Sequence, residues 1–413
     1  MEPGFCKHDE GTYCAVYYNS DTNTIMKKMP VFYQHADADH EAADNDKADD
    51  HEDNVEDEFI ESTSFVDLIV QASLGDSIVG LPPLRCYEIS AKEVKITMDY
   101  LGTTLHDYDH NRRDARDIMR QLTATCMHLY NNGVQHTDIK PSNILILPTS
   151  KRVTLIDFNL MSFVHRAKDA FAKPVRKWSR SYGTWNFCSP EIVNHKTPSD
   201  TSMVWSLAMV MMYCYSKFPL PKGAFKNSKE MSSRKRWADV FKALKNIDET
   251  NYPLFEQYAK DLPEDLHNVF ERATRWDPSE RMTIHEMYRV FCHPDDANLE
   301  LPPIPSLHAP DSIECLEGLK GLMHKACAKL RTPYLFKRAS DLFERCVESE
   351  AFPRSPEIAG ACIVICLYLI GLYIYDDPKM EHILGKFFSS KEVLNANFLK
   401  IGNHFGWRLL AAT

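Results

Sequence analysis

The chain has no cysteine framework. Its twelve cysteines are scattered, no two stand as C-x-x-C, and the closest pair, Cys362 and Cys366, lies inside an apolar run. This excludes a small disulfide-stapled scaffold and fits reduced core thiols of an intracellular protein, cytoplasmic or nuclear. A hydrophobic leader is also missing. The first ten residues, MEPGFCKHDE, are polar and acidic, so no signal peptide is expected. There is no basic excess either. The net charge is −10, and the window His35–Glu58 alone holds twelve acidic residues and one lysine. Outside it the chain is close to neutral, which argues against general nucleic-acid binding. That window lacks the glycine-centred pattern of a calcium loop. Its His35, His40 and His51 therefore read as part of a solvated acidic insertion over residues 34–58 rather than as metal ligands. Long apolar runs are nearly absent. The exception is Ile358–Tyr375, eighteen residues without a charge, at the lower edge of a membrane span. Its flanks are acidic (Glu357, Asp376, Asp377) and three tyrosines fall in its second half. The expectation is a buried core helix, with a membrane helix as the alternative.

What is present fits a globular protein of two or three domains: 413 residues, 44% hydrophobic and 26% charged. Residues 11–33 pattern as short strands around a turn at Ser20–Asn23. Residues 59–74 fit a helix starting near Ser62 or Thr63, and 111–132 fit an amphipathic helix. Helical patterns continue through 201–216, 235–246 and 264–292. A proline-rich linker follows at 294–305, and 311–413 reads as helices only, about five of them. The chemistry concentrates in His136-Thr-Asp-Ile-Lys-Pro-Ser-Asn143, with Asp157-Phe-Asn159 beginning fourteen residues after Asn143. Phosphoryl transfer needs these parts: a carboxylate to orient the attacking hydroxyl, a cation for the moving group, and an amide and a carboxylate to hold magnesium.

The order of motifs from about Asp9 to Leu307 resembles the eukaryotic protein kinase superfamily, and within it the cyclin-dependent kinases. The resemblance implies an α+β, two-lobed kinase domain over residues 1–308. Its small, mainly antiparallel β lobe would span 1–101 and its helical lobe 102–308. It implies ATP and Mg2+ as cofactors and serine or threonine of protein substrates as acceptors, since Lys140 stands two residues after Asp138. Gly11 and Val16 fall in the phosphate-covering loop, where Asp9 and Cys14 replace the outer two glycines. Lys27 matches the lysine that contacts the ATP phosphates, and strand alternation points it, rather than Lys28, inward. Asp67 falls where the family has that lysine's glutamate partner. Being one methylene shorter, it needs a closer helix or a looser pair. Met98, Asp99 and Leu101 fall at the adenine-binding hinge, and Leu145 on the floor of that pocket. Asp138 is implied to take the acceptor hydroxyl's proton, Lys140 to neutralise the transferring phosphoryl, and Asn143 and Asp157 to hold magnesium. Glu191 is implied to pair with Arg281.

The departures bear on regulation. Thr137 replaces the arginine that usually precedes the catalytic aspartate, Met203 an aspartate that braces the catalytic loop, and Asn159 a glycine. Asparagine tolerates left-handed backbone, so the last change is mild. These losses also keep open a pseudokinase or scaffold that regulates a partner. Residues 309–413 resemble a diverged five-helix cyclin box at Pro333–Arg345, at Ile358–Ile374 and at Phe398–Leu410. Tyr373 and Phe398 fall about where cyclins place kinase-contacting charges. The resemblance implies an activator fused in the same chain, docking on the Ser62–Leu74 helix. Ser179 lies where cyclin-dependent kinases carry an activating threonine, amid Arg176, Lys177 and Arg180. With Thr137 and Met203 in place of the usual supports, activity is expected to depend little on Ser179. Ser179→Ala should keep activity in a peptide phosphorylation assay. Loss in that variant with recovery in Ser179→Asp contradicts the expectation.

Overall fold

The alternation Val94, Ile96, Met98 puts three apolar side chains on one face of a strand, and all three are buried. In the structure, a computed structural model, that strand lies inside a five-stranded antiparallel sheet. The described residues are 4–10, 14–30, 64–90, 93–109, 111–163, 187–193, 198–199, 201–216, 262–292, 318–330, 335–369 and 382–410. Gly11, the acidic insertion, the 235–246 pattern, the 294–305 linker, Ser179 and Tyr373 lie outside them. The sheet is built from β1 (Cys6–Glu10), β2 (Ala15–Asn19), β3 (Thr24–Pro30), β4 (Cys86–Ile89) and β5 (Glu93–Asp99), in the order β1-β2-β3-β5-β4. The turn expected at Ser20–Asn23 joins β2 to β3. Asn19 accepts from the amides of Asp21 and Thr22, and Asn23 takes a left-handed backbone (φ 52°).

Helix α1 (Ser64–Leu74) lies between β3 and β4 in the chain. Residues 65–71 are all buried, including Asp67 and Gln71. A helix covered on every side needs two partners. One is β5. The other comes from the far end of the chain: Phe65 stacks on Trp407 (centroids 4.8 Å apart) and meets the Phe398 ring edge-on at 5.4 Å.

In the second lobe, Asn111 begins α2 (Arg112–Asn131). Its side chain accepts from the amides of Arg113 and Asp114, and Asp114 reaches back to the Asn111 amide. Two small sheets follow. One has the order β6 (Thr103–Thr104), β8 (Ile144–Leu147), β9 (Arg152–Leu155), and the other pairs β7 (Val134–His136) with β10 (Met161–Phe163). Then come α3 (Pro190–Val193), α4 (Ser202–Ser216), α5 (Glu264–Ala273) and α6 (Ile284–Phe291). The helical pattern expected across 264–292 is two helices. The chain leaves α5 at Thr274 and passes through Asp277-Pro278, and Thr283 opens α6 with a capping box to Glu286.

Arg281 sits in that break. Its guanidinium donates to both Glu191 oxygens (2.8 and 3.0 Å) and to the carbonyls of Arg275, Thr201 and Trp276. Ser199 and Ser202 complete the carboxylate. Burial alone raises the Glu191 carboxyl, but Arg281 and these hydrogen bonds prevail and hold it below the usual carboxylate range.

The last described helices are α7 (Gly318–Lys329), α8 (Leu335–Glu348), α9 (Pro356–Leu369) and α10 (Lys391–His404). The apolar run expected to be a core helix is α9 in its first part, buried on all sides against α7, α8 and α10. Among the described residues no helix is long and apolar enough to cross a membrane.

Removing one partner of the Glu191–Arg281 pair strands a buried charge. Arg281→Met should lose roughly 3–5 kcal/mol in chemical denaturation at pH 7. The wild-type pair stabilises fully above the unfolded carboxyl's pKa of about 4.3, and that contribution is lost as the pH falls through the lower folded value. In Arg281→Met burial raises the carboxyl instead, so acid should recover part of the deficit.

Candidate active site

Strand β3 points Lys27 into the cleft side of the sheet, opposite Val16 on β2 and Ile96 on β5. Lys28 faces outward, its ammonium over the Tyr17 ring. The Lys27 ammonium lies 2.7 Å from one oxygen of Asp67, which is 1% exposed. The pair is therefore tight rather than loose, despite the shorter side chain. The second Asp67 oxygen accepts the Phe158 amide at 3.1 Å. Lys27 also lies 3.5 Å from Asp157. Burial by itself lowers the lysine's pKa, but the two carboxylates outweigh it and hold the ammonium above the usual lysine range.

The catalytic loop follows β7. Buried His136 accepts the Asp138 amide on Nδ1 (3.1 Å), so its Nε2 carries the proton and donates to the Ile156 carbonyl at 3.0 Å. Burial lowers the His136 pKa, in keeping with a neutral ring. Lys140 reaches Asp138 at 2.6 Å, and the Asn143 amide group donates to the Asp138 carbonyl (2.9 Å) and carboxylate (3.1 Å). Pro141–Asn143 forms one 3₁₀ turn, and the Ile156 amide donates to the Asn143 carbonyl. These bonds tie the loop to the segment that carries Asp157.

Asp157 has a left-handed backbone (φ 67°), a strained conformation for a residue with a side chain. The sequence suggested Asn159 for that conformation. Asn159 is not among the positive-φ residues, and its amide instead donates to Asp157 at 2.8 Å. Thr137, in place of the arginine that the resemblance sets there, donates its hydroxyl to the Leu160 carbonyl, a neutral tether. Met203 is buried in the apolar core.

At the end of β5, Met98 is buried opposite Ile25, Asp99 pairs with Arg85, and the Tyr100 amide donates to the Asn23 carbonyl. Leu101 is buried, and Leu145 is half-buried on β8 between Thr104 and Thr154. The structure therefore gathers two sets of polar contacts, Lys27 with Asp67 and Asp157 and Asp138 with Lys140 and Asn143, joined through the backbone of Ile156, the residue before Asp157. Gly11 lies outside the described residues. Two contributors carried no role in the sequence reading. The position of His136 beside the aspartate was visible, but its tautomer depends on the Ile156 carbonyl. Trp407 lay inside the Phe398–Leu410 resemblance without a role of its own.

The donor set suits magnesium. No described hydrogen bond engages the Asn143 side-chain oxygen or the second Asp157 oxygen, and the Asp157 side chain is 35% exposed. One amide oxygen and one carboxylate are hard donors, and magnesium completes its shell with phosphate oxygens and water. Among the described residues no group of three or more His, Cys, Asp and Glu gathers.

Residues 83–291 match the protein kinase domain family. Similar curated proteins include serine/threonine-protein kinase cds1 of Schizosaccharomyces pombe, 25% identical over 49% of this chain and 42% of its own. Dual specificity protein kinase Ttk of Danio rerio is 26% identical over 63% of this chain and 25% of its own. The calcium and calcium/calmodulin-dependent serine/threonine-protein kinase of Lilium longiflorum is 26% identical over 46% and 33%. The chain spans less than half the length of each. These relatives belong to several kinds of kinase and do not single out the cyclin-dependent ones. A family match over half of the 413 residues, covering the loop that carries Asp138 and Asn143, makes the chain a member of the protein kinase domain family.

Proposed function

We propose that the chain is an ATP-dependent protein serine/threonine kinase. The observation that carries this reading is the Lys27 ammonium held between the carboxylates of Asp67 and Asp157. A cation there binds nucleotide phosphates, and its partners fix it to α1 and to the metal-holding segment. Asp138 orients the acceptor hydroxyl and takes its proton, and Lys140 beside it offsets charge on the transferring group. Asn143 and Asp157 would hold magnesium, which would supply positive charge to offset that of the nucleotide phosphates. Val16, Met98, Leu145 and the backbone of Asp99 and Leu101 form the adenine site, and Gly11, outside the described residues, is assigned to the phosphates by its sequence. Protein substrates are the acceptors.

The same reading divides the chain into a kinase domain at 1–308 and a helical domain at 309–413, and assigns the second as an activator acting in cis. Contact of Phe398 and Trp407 with Phe65 supports that assignment. The likeness to cyclin-dependent kinases and to a cyclin box rests on sequence. The buried α9 and the place of Phe398 against α1 agree with it. No described cysteine forms a disulfide, which fits an intracellular, cytoplasmic or nuclear setting.

The test is transfer of labelled γ-phosphate from Mg-ATP to a degenerate serine/threonine peptide array. Wild type should give signal, with Asp138→Asn and Asp157→Asn weaker by about 10²-fold or more. Equal signal from wild type and Asp157→Asn sinks the catalytic reading and favours a scaffold.

A further inference from the structure

The turn after α10 has an unusual backbone. Gly406 and Trp407 are both left-handed, at φ 55° and 63°. A bulky residue seldom adopts that conformation, and it persists only where its surroundings fix it. They do so here. The Trp407 amide donates to the Gly402 carbonyl at 2.7 Å, and its indole N–H donates to Asn403 at 3.3 Å. The ring lies so close to Gly402 that a Cβ there would run into it. Arg345 on α8 donates to the carbonyls of Arg408 and Leu409 and stacks over Phe405. The turn is a rigid mount, and what it presents is a fully buried indole against Phe65 of α1. Helix α1 adds a second fastening: Ser73 donates to the Trp407 carbonyl (3.4 Å) and accepts from the Leu410 amide (3.0 Å).

The same helical unit also grips the other lobe. Arg338 on α8 donates to the Asn132 carbonyl at 2.8 Å and stacks over Phe163 of β10. Gly133, left-handed at φ 71°, leaves the room this needs, because a Cβ there would overlap the guanidinium. The unit thus spans from the turn that leads into the catalytic loop to α1.

We propose that Trp407 is a positioning residue for the active site: through Phe65 it fixes α1 at the depth at which the short Asp67 side chain reaches both Lys27 and the Phe158 amide. The proposal deepens the kinase reading and rests on it. The shortness of Asp67 makes the buttress necessary. A glutamate has an extra methylene to absorb a shift of the helix, whereas an aspartate loses both partners when α1 moves outward. The mount and the shorter acid form one device.

The test uses full-length chain and two readouts, amide hydrogen exchange and steady-state kinetics with Mg-ATP. In Trp407→Leu the α1 amides should exchange about ten-fold faster with those of α2 unchanged. Its kcat should fall about ten-fold or more, and Trp407→Phe should recover most of both. Adding Asp67→Glu to Trp407→Leu should restore part of kcat without restoring protection, because the longer acid spans the gap. A purely structural role for Trp407 does not produce that rescue. If Trp407→Leu unfolds and α2 loses protection too, Phe65→Leu, which thins the contact from the other side, decides by the same readouts. Unchanged α1 protection in the folded variant overturns the proposal, as does absence of rescue by Asp67→Glu. A wild type with protected α1 and no phosphate transfer sinks the kinase reading alone, because exchange does not depend on activity.

Discussion

A lysine ammonium in a protein interior stays charged only with carboxylates beside it, since the desolvation it suffers must be offset by nearby opposite charge. Lys27 meets this condition with Asp67 at 2.7 Å and Asp157 at 3.5 Å. Those two carboxylates come from a helix and from the segment after β9, so one cation draws three parts of the chain to a point. Asp67 adds the Phe158 amide to its load. The positions of α1, of β3 and of the Asp157 segment are therefore not independent. Displacing any one leaves a buried charge or a buried donor unpaired, and each of these costs more than the net value of an average hydrogen bond.

Below this point the site is held by neutral contacts more than by charge. The His136 ring is neutral and bridges the Asp138 amide to the Ile156 carbonyl. Thr137 binds the Leu160 carbonyl, and Asn143 binds Asp138. Asp157 keeps its strained backbone because Lys27 and Asn159 both engage its side chain. Position 137 contributes to this bracing through a hydroxyl rather than a charge. Away from the site, the pair of Glu191 with Arg281 is enclosed and serves the fold of the large lobe.

Much of this was legible in the sequence because it depends on short spacings. Strand alternation chose Lys27 over Lys28, and the loop from His136 to Asn143 carries three of its functional groups within six residues. The β2–β3 turn was visible in Ser20–Asn23, and the apolar run at 358–375 proved to begin as a core helix. The errors have local causes. Asn159 looked like the left-handed residue because asparagine tolerates that backbone, yet the strain falls on Asp157, where two side-chain contacts hold it. The pattern at 264–292 continued across a break that a proline and a capping threonine impose. What could not be read is set at long range. The depth of α1, and with it the tightness of the Asp67 pair, depends on Phe398 and Trp407, more than 300 residues away in the chain. No local pattern announces a tryptophan in left-handed backbone.

Asp67 reaches Lys27 at 2.7 Å despite its short side chain, and in the proposed kinase it is the anchor that keeps Lys27 in place for the nucleotide. Without it, Lys27 retains only Asp157 and competes with magnesium for that carboxylate. The most direct measurement is kcat for γ-phosphate transfer by full-length Asp67→Ala, with thermal unfolding recorded alongside. The expected result is a folded protein whose kcat is lower by about 10²-fold. A folded Asp67→Ala with kcat within about two-fold of wild type contradicts it.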